Sequence, residues 1–175
     1  STTYPDALRA RIRSQFQQRR INDKYEDELT DFHHSVVEEL ILKNGLSRAN
    51  IAVIGFHGQT VDHRPADGVT VQVGNGGRLA KATGINVINQ FRLADVNAGG
   101  QGAPLTPLYH AALAGNLAKP LAVLNLGGVG NVTWVGPEGE ADMLAFDTGP
   151  ANAMIDDWIL SCTGERFDKD GEVAA

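Results

Sequence analysis

"INVINQFRLADVNAGGQGAPLTPLYH", residues 85–110, changes character twice within one short span. Ile85 to Phe91 is rich in apolar and β-branched residues, the composition of a buried strand. A glycine-rich loop follows, carrying Arg92 and Asp95. A helix is expected from about Pro104, because proline suits the first helical turn, where its missing donor is not required. Strand, loop and helix in that order form the unit of an α/β fold.

Other segments repeat the pattern. "IAVIGF", "VTVQVG", "LAVLNLGG", "NVTWVG" and "MLAFDTG" are short apolar runs ending at or near glycine. Helices are expected between them at 76–83, 104–118 and 150–162. Ahead of these runs the chain is helical and amphipathic. Leu8, Ile12 and Phe16 recur at helical spacing within 6–19, and Leu29, Phe32, Val36 and Leu40 within 25–43. Gly45 supplies a stop. The best linkers are "LSRAN" and "GNLAKP", and Lys119-Pro120 is the expected domain boundary because a new strand follows it. The chain thus divides into residues 1–118 and 119–175.

Fifteen lysines and arginines against 21 aspartates and glutamates give a net charge of −6. That balance argues against bulk attraction to nucleic acid or an anionic membrane and still allows a local basic pocket. No apolar run is long enough for a membrane span. A single cysteine, Cys162, cannot form an internal disulfide, which fits a reducing cytoplasm and other compartments as well; it reads as a packed helix residue. The chain starts at Ser1 and stops in the charged segment "DKDGEVAA", and is expected to be a piece of a longer protein.

Four constellations can carry chemistry. In the first, Asp95 can act as a general base beside glycines that let a ligand approach the backbone, with a helix N-terminus favouring an anion or a polar sugar group. From these residues alone the blander reading is that Asp95 caps a turn that Gly99, Gly100 and Gly102 permit. In the second, "IGFHGQTVDHRP" delivers His57, Gln59 and Thr60 to the end of a buried strand, where α/β proteins place ligands. Imidazole, amide and hydroxyl suit a polyhydroxylated substrate, while His57 can instead satisfy buried backbone groups. His57 and His63 lack metal-ligand spacing, and no metal ligand set is assigned.

"LNLGGVGNVTWVG" joins two strands instead of opening a helix, so its glycines argue against dinucleotide binding. It reads either as an ordinary tight hairpin or as one offering backbone amides to phosphate oxygens. Last, "AFDTGPANAMIDDW" ends a strand in Asp147, Thr148 and Gly149 before Pro150 begins a helix. Asp147 can contact a hydroxyl or a hydrated magnesium ion, with Thr148 and the helix N-terminus facing an anion, or the two residues can simply cap the helix.

Taken in order, "IGFHGQTVDHRP", "TGINVINQFRLADVNAGGQGAPLTPLYHAAL", "AVLNLGGVGNVT", "FDTGPANAMIDDW" and "GERFDKDGE" resemble the anhydro-N-acetylmuramic acid kinases of bacterial cell-wall recycling across about residues 51–171. The resemblance implies RNase H-like domains of the actin, sugar kinase and Hsp70 type, incomplete at both ends in this chain. It implies that water opens the ring of 1,6-anhydro-N-acetylmuramic acid while the released 6-oxygen takes the γ-phosphoryl group of ATP, with Mg2+, giving N-acetylmuramic acid 6-phosphate.

By position Asp95 matches the family's base. His57, Gln59, Thr60, Arg92 and Gln101 match its sugar pocket. Asn125, Gly127, Gly128 and Asn131 match a phosphate-binding hairpin, and Asp147, Thr148, Gly149 and Asn152 its neighbour on the nucleotide side. A homodimer is also implied. Tyr109, Leu113, Leu117 and Trp158 are expected to be positions that missing segments cover.

The departures lie in the phosphate site and in fine contacts. An early Gly-Thr-Ser-x-Asp-Gly type loop and a later glycine-rich adenosine motif are absent, so the ATP site of this chain is expected to be incomplete. "FRLAD" replaces a more basic run, and Asn97 and Ala151 stand where small, apolar or glycine residues are expected. An amino-sugar binding module without phosphoryl transfer is the alternative reading.

Overall fold

The N-terminal pattern becomes two helices, α1 (Asp6–Ser14) and α2 (Asp23–Lys43), in a computed structural model that describes residues 2–15 and 23–175. Leu8, Ile12 and Leu29 are buried with Tyr25, and Phe32 packs at the edge of the same cluster. Phe16 and residues 16–19 of the expected first helix lie outside the described residues. Leu40 is a correction, because it is 58% exposed while its neighbour Ile41 is buried. At about 100° per residue, Ile41 lies roughly 120° around the helix from Leu29. The buried stripe therefore turns along α2 instead of following a single face.

The chain forms two compact units, Ser1–Ala103 and Pro104–Ala175. After α2 the first unit continues with β1 (Ile54–Phe56), β2 (Gln59–Arg64), β3 (Val69–Val73), α3 (Gly76–Thr83), β4 (Val87–Asn89) and α4 (Leu93–Asn97). Strands β1 and β4 pair in parallel, Ile54 opposite Val87 and Phe56 opposite Asn89. Between them β2 and β3 form an antiparallel hairpin whose Val61 and Val73 complete the core under α1 and α2. Helix α3 has the expected bounds. Asn75 caps it by accepting the Arg78 N–H at 2.8 Å, and Gly84 ends it in the left-handed conformation.

Helix α2 also holds the turn before α3. Glu26 Oε1 accepts the Gly74 N–H at 3.1 Å, and the buried Thr30 hydroxyl accepts the Asn75 N–H at 3.0 Å. These bonds satisfy backbone donors that the turn leaves outside any ladder.

The second unit consists of α5 (Thr106–Leu113), an antiparallel meander of β5 (Leu121–Leu126), β6 (Val129–Gly136) and β7 (Gly139–Pro150), and α6 (Asn152–Thr163). Helix α5 is shorter than the expected 104–118. Beyond it the Lys119 ammonium donates to the carbonyls of Ala114 and Gly115 at 3.2 and 3.1 Å, satisfying acceptors that a helix end leaves open. Helix α6 starts later than the expected position 150, because β7 runs through Pro150.

One face of the meander buries Thr133 and Val135, with His110 of α5 hydrogen-bonded to Thr133 Oγ1 at 2.9 Å. On the other face Leu124, Val132 and Phe146 are cross-strand neighbours, as are Trp134 and Leu144. Leu124, Leu144 and Phe146 are exposed there, as are Tyr109, Leu113, Leu117 and Trp158 elsewhere in the unit. Cys162 is a further correction. It is exposed, since Ile159 is the only residue of α6 that is buried.

Among the described residues no helix is long and apolar enough to cross a membrane.

Candidate functional site

Asp95 lies on a turn of helix and not in an open loop. Gln90, with φ of 56°, reverses the chain after β4, and the Leu93 N–H bonds back to the Gln90 carbonyl at 3.1 Å. Val96, buried, anchors α4 to the unit. Asp95 then organises the glycine-rich loop. Its backbone carbonyl accepts the Gly100 N–H at 2.8 Å, and its Oδ2 accepts the Gly102 N–H at 2.6 Å. A bond from a backbone amide to a carboxylate is charge-assisted, and shorter than one between neutral groups.

The glycines of this loop have an unexpected occupant. A Cβ built on Gly100 would stand 2.3 Å from Asp95 Oδ2, so the space a side chain would fill holds the chain's own carboxylate. Gly102 has φ of 64° and would bring a Cβ to 2.6 Å from Val96 Cγ2. Gly100 makes room for the acid and Gly102 for Val96 and Arg92, whereas the sequence suggested room for a ligand. The side chain remains exposed, and its Oδ1 makes no hydrogen bond among the described residues. That oxygen is open to accept a proton.

Arg92 reaches the same loop from the other side. Its Nη1 donates to the Gly102 carbonyl at 2.8 Å and its Nε donates to His57 Nε2 at 3.0 Å. Since arginine can only donate, His57 Nε2 must accept, and the ring proton sits on Nδ1, which lies 2.9 Å from the Gly58 carbonyl. Both ring nitrogens are therefore engaged within the chain, in agreement with the reading of His57 as a partner for local polar groups. Burial lowers the Arg92 pKa from its ordinary value and leaves it a cation at neutral pH.

Gln59 and Thr60 begin β2 and do not sit at the end of β1. Both are half-buried, and Gln59 Nε2 contacts the Thr60 carbonyl at 3.4 Å. Gln72, which sequence reasoning passed over, stands opposite Thr60 in register and lies 3.4 Å from its hydroxyl. The alternation of "VTVQV" is the signal that could have found it, since it places one amide among apolar neighbours. Gln101 is exposed on the loop between Gly100 and Gly102. Hydrogen bonds thus bring His57, Arg92 and Asp95 together around Gly102. No such bond joins Gln59, Thr60 or Gln101 to them among the described residues.

In the second unit the Gly127–Gly128 turn joins β5 to β6, with Asn125 opposite Asn131. Its carbonyls face the start of α6. Gly128 O accepts the N–H groups of Ala151 and Ala153 at 3.0 and 3.2 Å, Gly127 O accepts that of Asn152 at 2.9 Å, and Asn152 Nδ2 donates to Leu126 O at 2.7 Å. The first amides of α6 are therefore spent on the turn and do not face an open anion site as the sequence suggested. Within a trans peptide the N–H points opposite to the C=O. With the carbonyls of Gly127 and Gly128 on α6, the amides of Gly128 and Val129 point away from it.

Asn131 stands opposite Asp147 and Gly130 opposite Gly149, which leaves Thr148 as the extra residue of a bulge in β7. A Cβ on Gly130 would come within 2.8 Å of the Thr148 hydroxyl. Asp147 and Thr148 are exposed. No cluster of three or more His, Cys, Asp or Glu residues that could hold a metal ion occurs among the described residues.

A family profile described as "Anhydro-N-acetylmuramic acid kinase" matches residues 1–175. Curated relatives carry the same name. One from Paramagnetospirillum magneticum is 54% identical over 153 residues, covering 87% of this chain and 42% of the relative. One from Rhizorhabdus wittichii is 54% identical over 147 residues, covering 84% and 40%. One from Rhodospirillum rubrum is 51% identical over 180 aligned positions, covering 99% and 47%. The chain therefore spans less than half the length of these relatives. It belongs to the anhydro-N-acetylmuramic acid kinase family.

Proposed function

From that membership we propose that the chain is the sugar-binding and proton-accepting portion of an ATP-dependent kinase, joined to a phosphate-binding hairpin. The substrate is 1,6-anhydro-N-acetylmuramic acid and the product N-acetylmuramic acid 6-phosphate. In this reading both units are parts of RNase H-like domains of the actin, sugar kinase and Hsp70 type. The sugar side lies within residues 1–118 and the hairpin within 119–175. The enzyme is cytoplasmic and homodimeric.

The observation that carries the reading is the state of Asp95, with one carboxylate oxygen fixed by the Gly102 amide and the other open on an exposed side chain. A general base needs a free lone pair held in place, and this arrangement supplies one. Asp95 Oδ1 takes a proton from water as the water oxygen bonds to the anomeric carbon. The bond from that carbon to O6 breaks, O6 bonds to the γ-phosphorus, and ADP leaves. Gln59, Thr60 and Gln101 offer amides and a hydroxyl to the sugar, with His57 and Arg92 beside them.

At the hairpin, the amides of Gly128 and Val129 that turn away from α6 suit phosphate oxygens, and the Thr148 hydroxyl can add a donor. Asn125, Asn131, Gly149 and Asn152 shape this end of the sheet. Asp147 fits a hydrated Mg2+ accompanying ATP, since magnesium retains most of its waters and needs few carboxylates. When bound, the ion neutralises phosphate charge.

The test replaces the matching segment of the Rhodospirillum rubrum relative with this chain and supplies Mg-ATP and the anhydro sugar. Mass spectrometry should find a sugar phosphate heavier than the substrate by one phosphoryl group and one water. Phosphate appearing without ring opening, or no product from a folded chimera, contradicts the proposal. The alternative, a binding module without transfer, is favoured if the chimera binds the sugar and consumes no ATP.

A further inference from the structure

Arg92 matches a sugar-pocket position, yet its hydrogen bonds run inward. Nε is bound to His57 Nε2 and Nη1 to the Gly102 carbonyl, while Gly102 gives its own N–H to Asp95 Oδ2. His57 in turn lies within hydrogen-bond distance of the Gly58 carbonyl through Nδ1. Gly102 is buried and held on both flanks, its carbonyl by Arg92 and its amide by Asp95.

We infer that Arg92 is a positioning residue, which fixes the His57 tautomer and clamps Gly102 so that its amide occupies Asp95 Oδ2 and leaves Oδ1 as the oxygen that accepts the proton. The chain of contacts is His57 to Arg92, Arg92 to Gly102, and Gly102 to Asp95. A left-handed glycine has wide backbone freedom, so its two peptide groups need external bonds to stay in one orientation. Arg92 supplies the bond that does not come from the acid itself. His57 is the other anchor of the guanidinium and acts through it, not on the sugar. The effect on catalysis rests on the kinase reading; the clamp itself does not.

Two measurements separate these. In this chain alone, 15N NMR of the imidazole is expected to show His57 protonated on Nδ1, with the Gly102 amide proton far downfield from its charge-assisted bond. Arg92→Gln should move the Gly102 amide upfield and mix the His57 tautomers. His57→Gln, whose side-chain carbonyl can still accept from Nε, should retain the downfield amide. If Arg92→Gln does not fold, Arg92→Lys provides the same comparison, because one ammonium cannot keep the paired geometry of the guanidinium.

In the chimera, Arg92→Lys should lower kcat on the order of tenfold or more with KM nearly unchanged, and should add little further loss to Asp95→Asn. The clamp is overturned if the Gly102 amide and the His57 tautomer are the same with and without the Arg92 guanidinium. The positioning role is overturned if Arg92→Lys raises KM and leaves kcat intact, the signature of a sugar contact. A wild-type chimera without activity counts against the kinase reading alone, since the NMR comparison still decides the clamp.

Discussion

Asp95→Asn, placed in the chimera with the Rhodospirillum rubrum relative, is expected to lower kcat on the order of 10³-fold with little change in KM or thermal stability. The amide is nearly isosteric with the acid, and its carbonyl oxygen can still accept the Gly102 N–H that now meets Oδ2 at 2.6 Å. What it loses is the basic lone pair on the other side. Asp95 is exposed, so the substitution leaves no buried charge without a partner. Steady-state kinetics with a melting curve on the same preparation checks both halves. A loss of activity that merely tracks a loss of fold would assign Asp95 to structure.

Gly100→Ala should separate position from chemistry. Gly100 does not have the positive φ found at Gly99 and Gly102, so alanine is compatible with its backbone. The obstacle is the Asp95 carboxylate, which a Cβ would meet at 2.3 Å. A carboxylate is the movable end of its side chain, and rotating it aside costs the fold little. It also removes the base from its place and breaks the bond to Gly102. Displacement of a reacting group by about an ångström costs on the order of 10²-fold in rate, so activity should fall by that factor while the melting temperature stays within a few degrees. Gly100→Ala with wild-type kcat would show that the carboxylate position seen here is not the working one.

Much of the fold was legible where its causes are local. The bounds of α3 are set by an asparagine cap and a glycine stop next to them in sequence. The β5–β6 hairpin comes from paired apolar runs around Gly127 and Gly128. The α/β class came from the order of such runs, and the chain is indeed α/β with mixed pairing. The helical turn holding Asp95 was not legible, because it depends on the positive φ of Gln90 and on the burial of Val96. Neither leaves a pattern that distinguishes "LADVN" from a loop.

The start of α6 shows a longer-range limit. Its sequence marks a helix N-terminus, but the occupant of that terminus is set by carbonyls from a turn more than twenty residues earlier. In the site, residue types pointed to Asp95, Arg92 and His57, while their connection through Gly102 appears only in three dimensions. The glycines were visible and their purpose was not. Space reserved for a ligand and space reserved for the chain's own acid look alike in sequence.

The most direct measurement is a titration of this chain with 1,6-anhydro-N-acetylmuramic acid, monitored by amide NMR. Saturable shifts concentrated at His57–Thr60 and Asp95–Gly102 are the expected result, and would establish that the first unit binds the sugar at Asp95. No shift up to millimolar sugar in a folded sample, or saturable shifts confined to other residues, would contradict it.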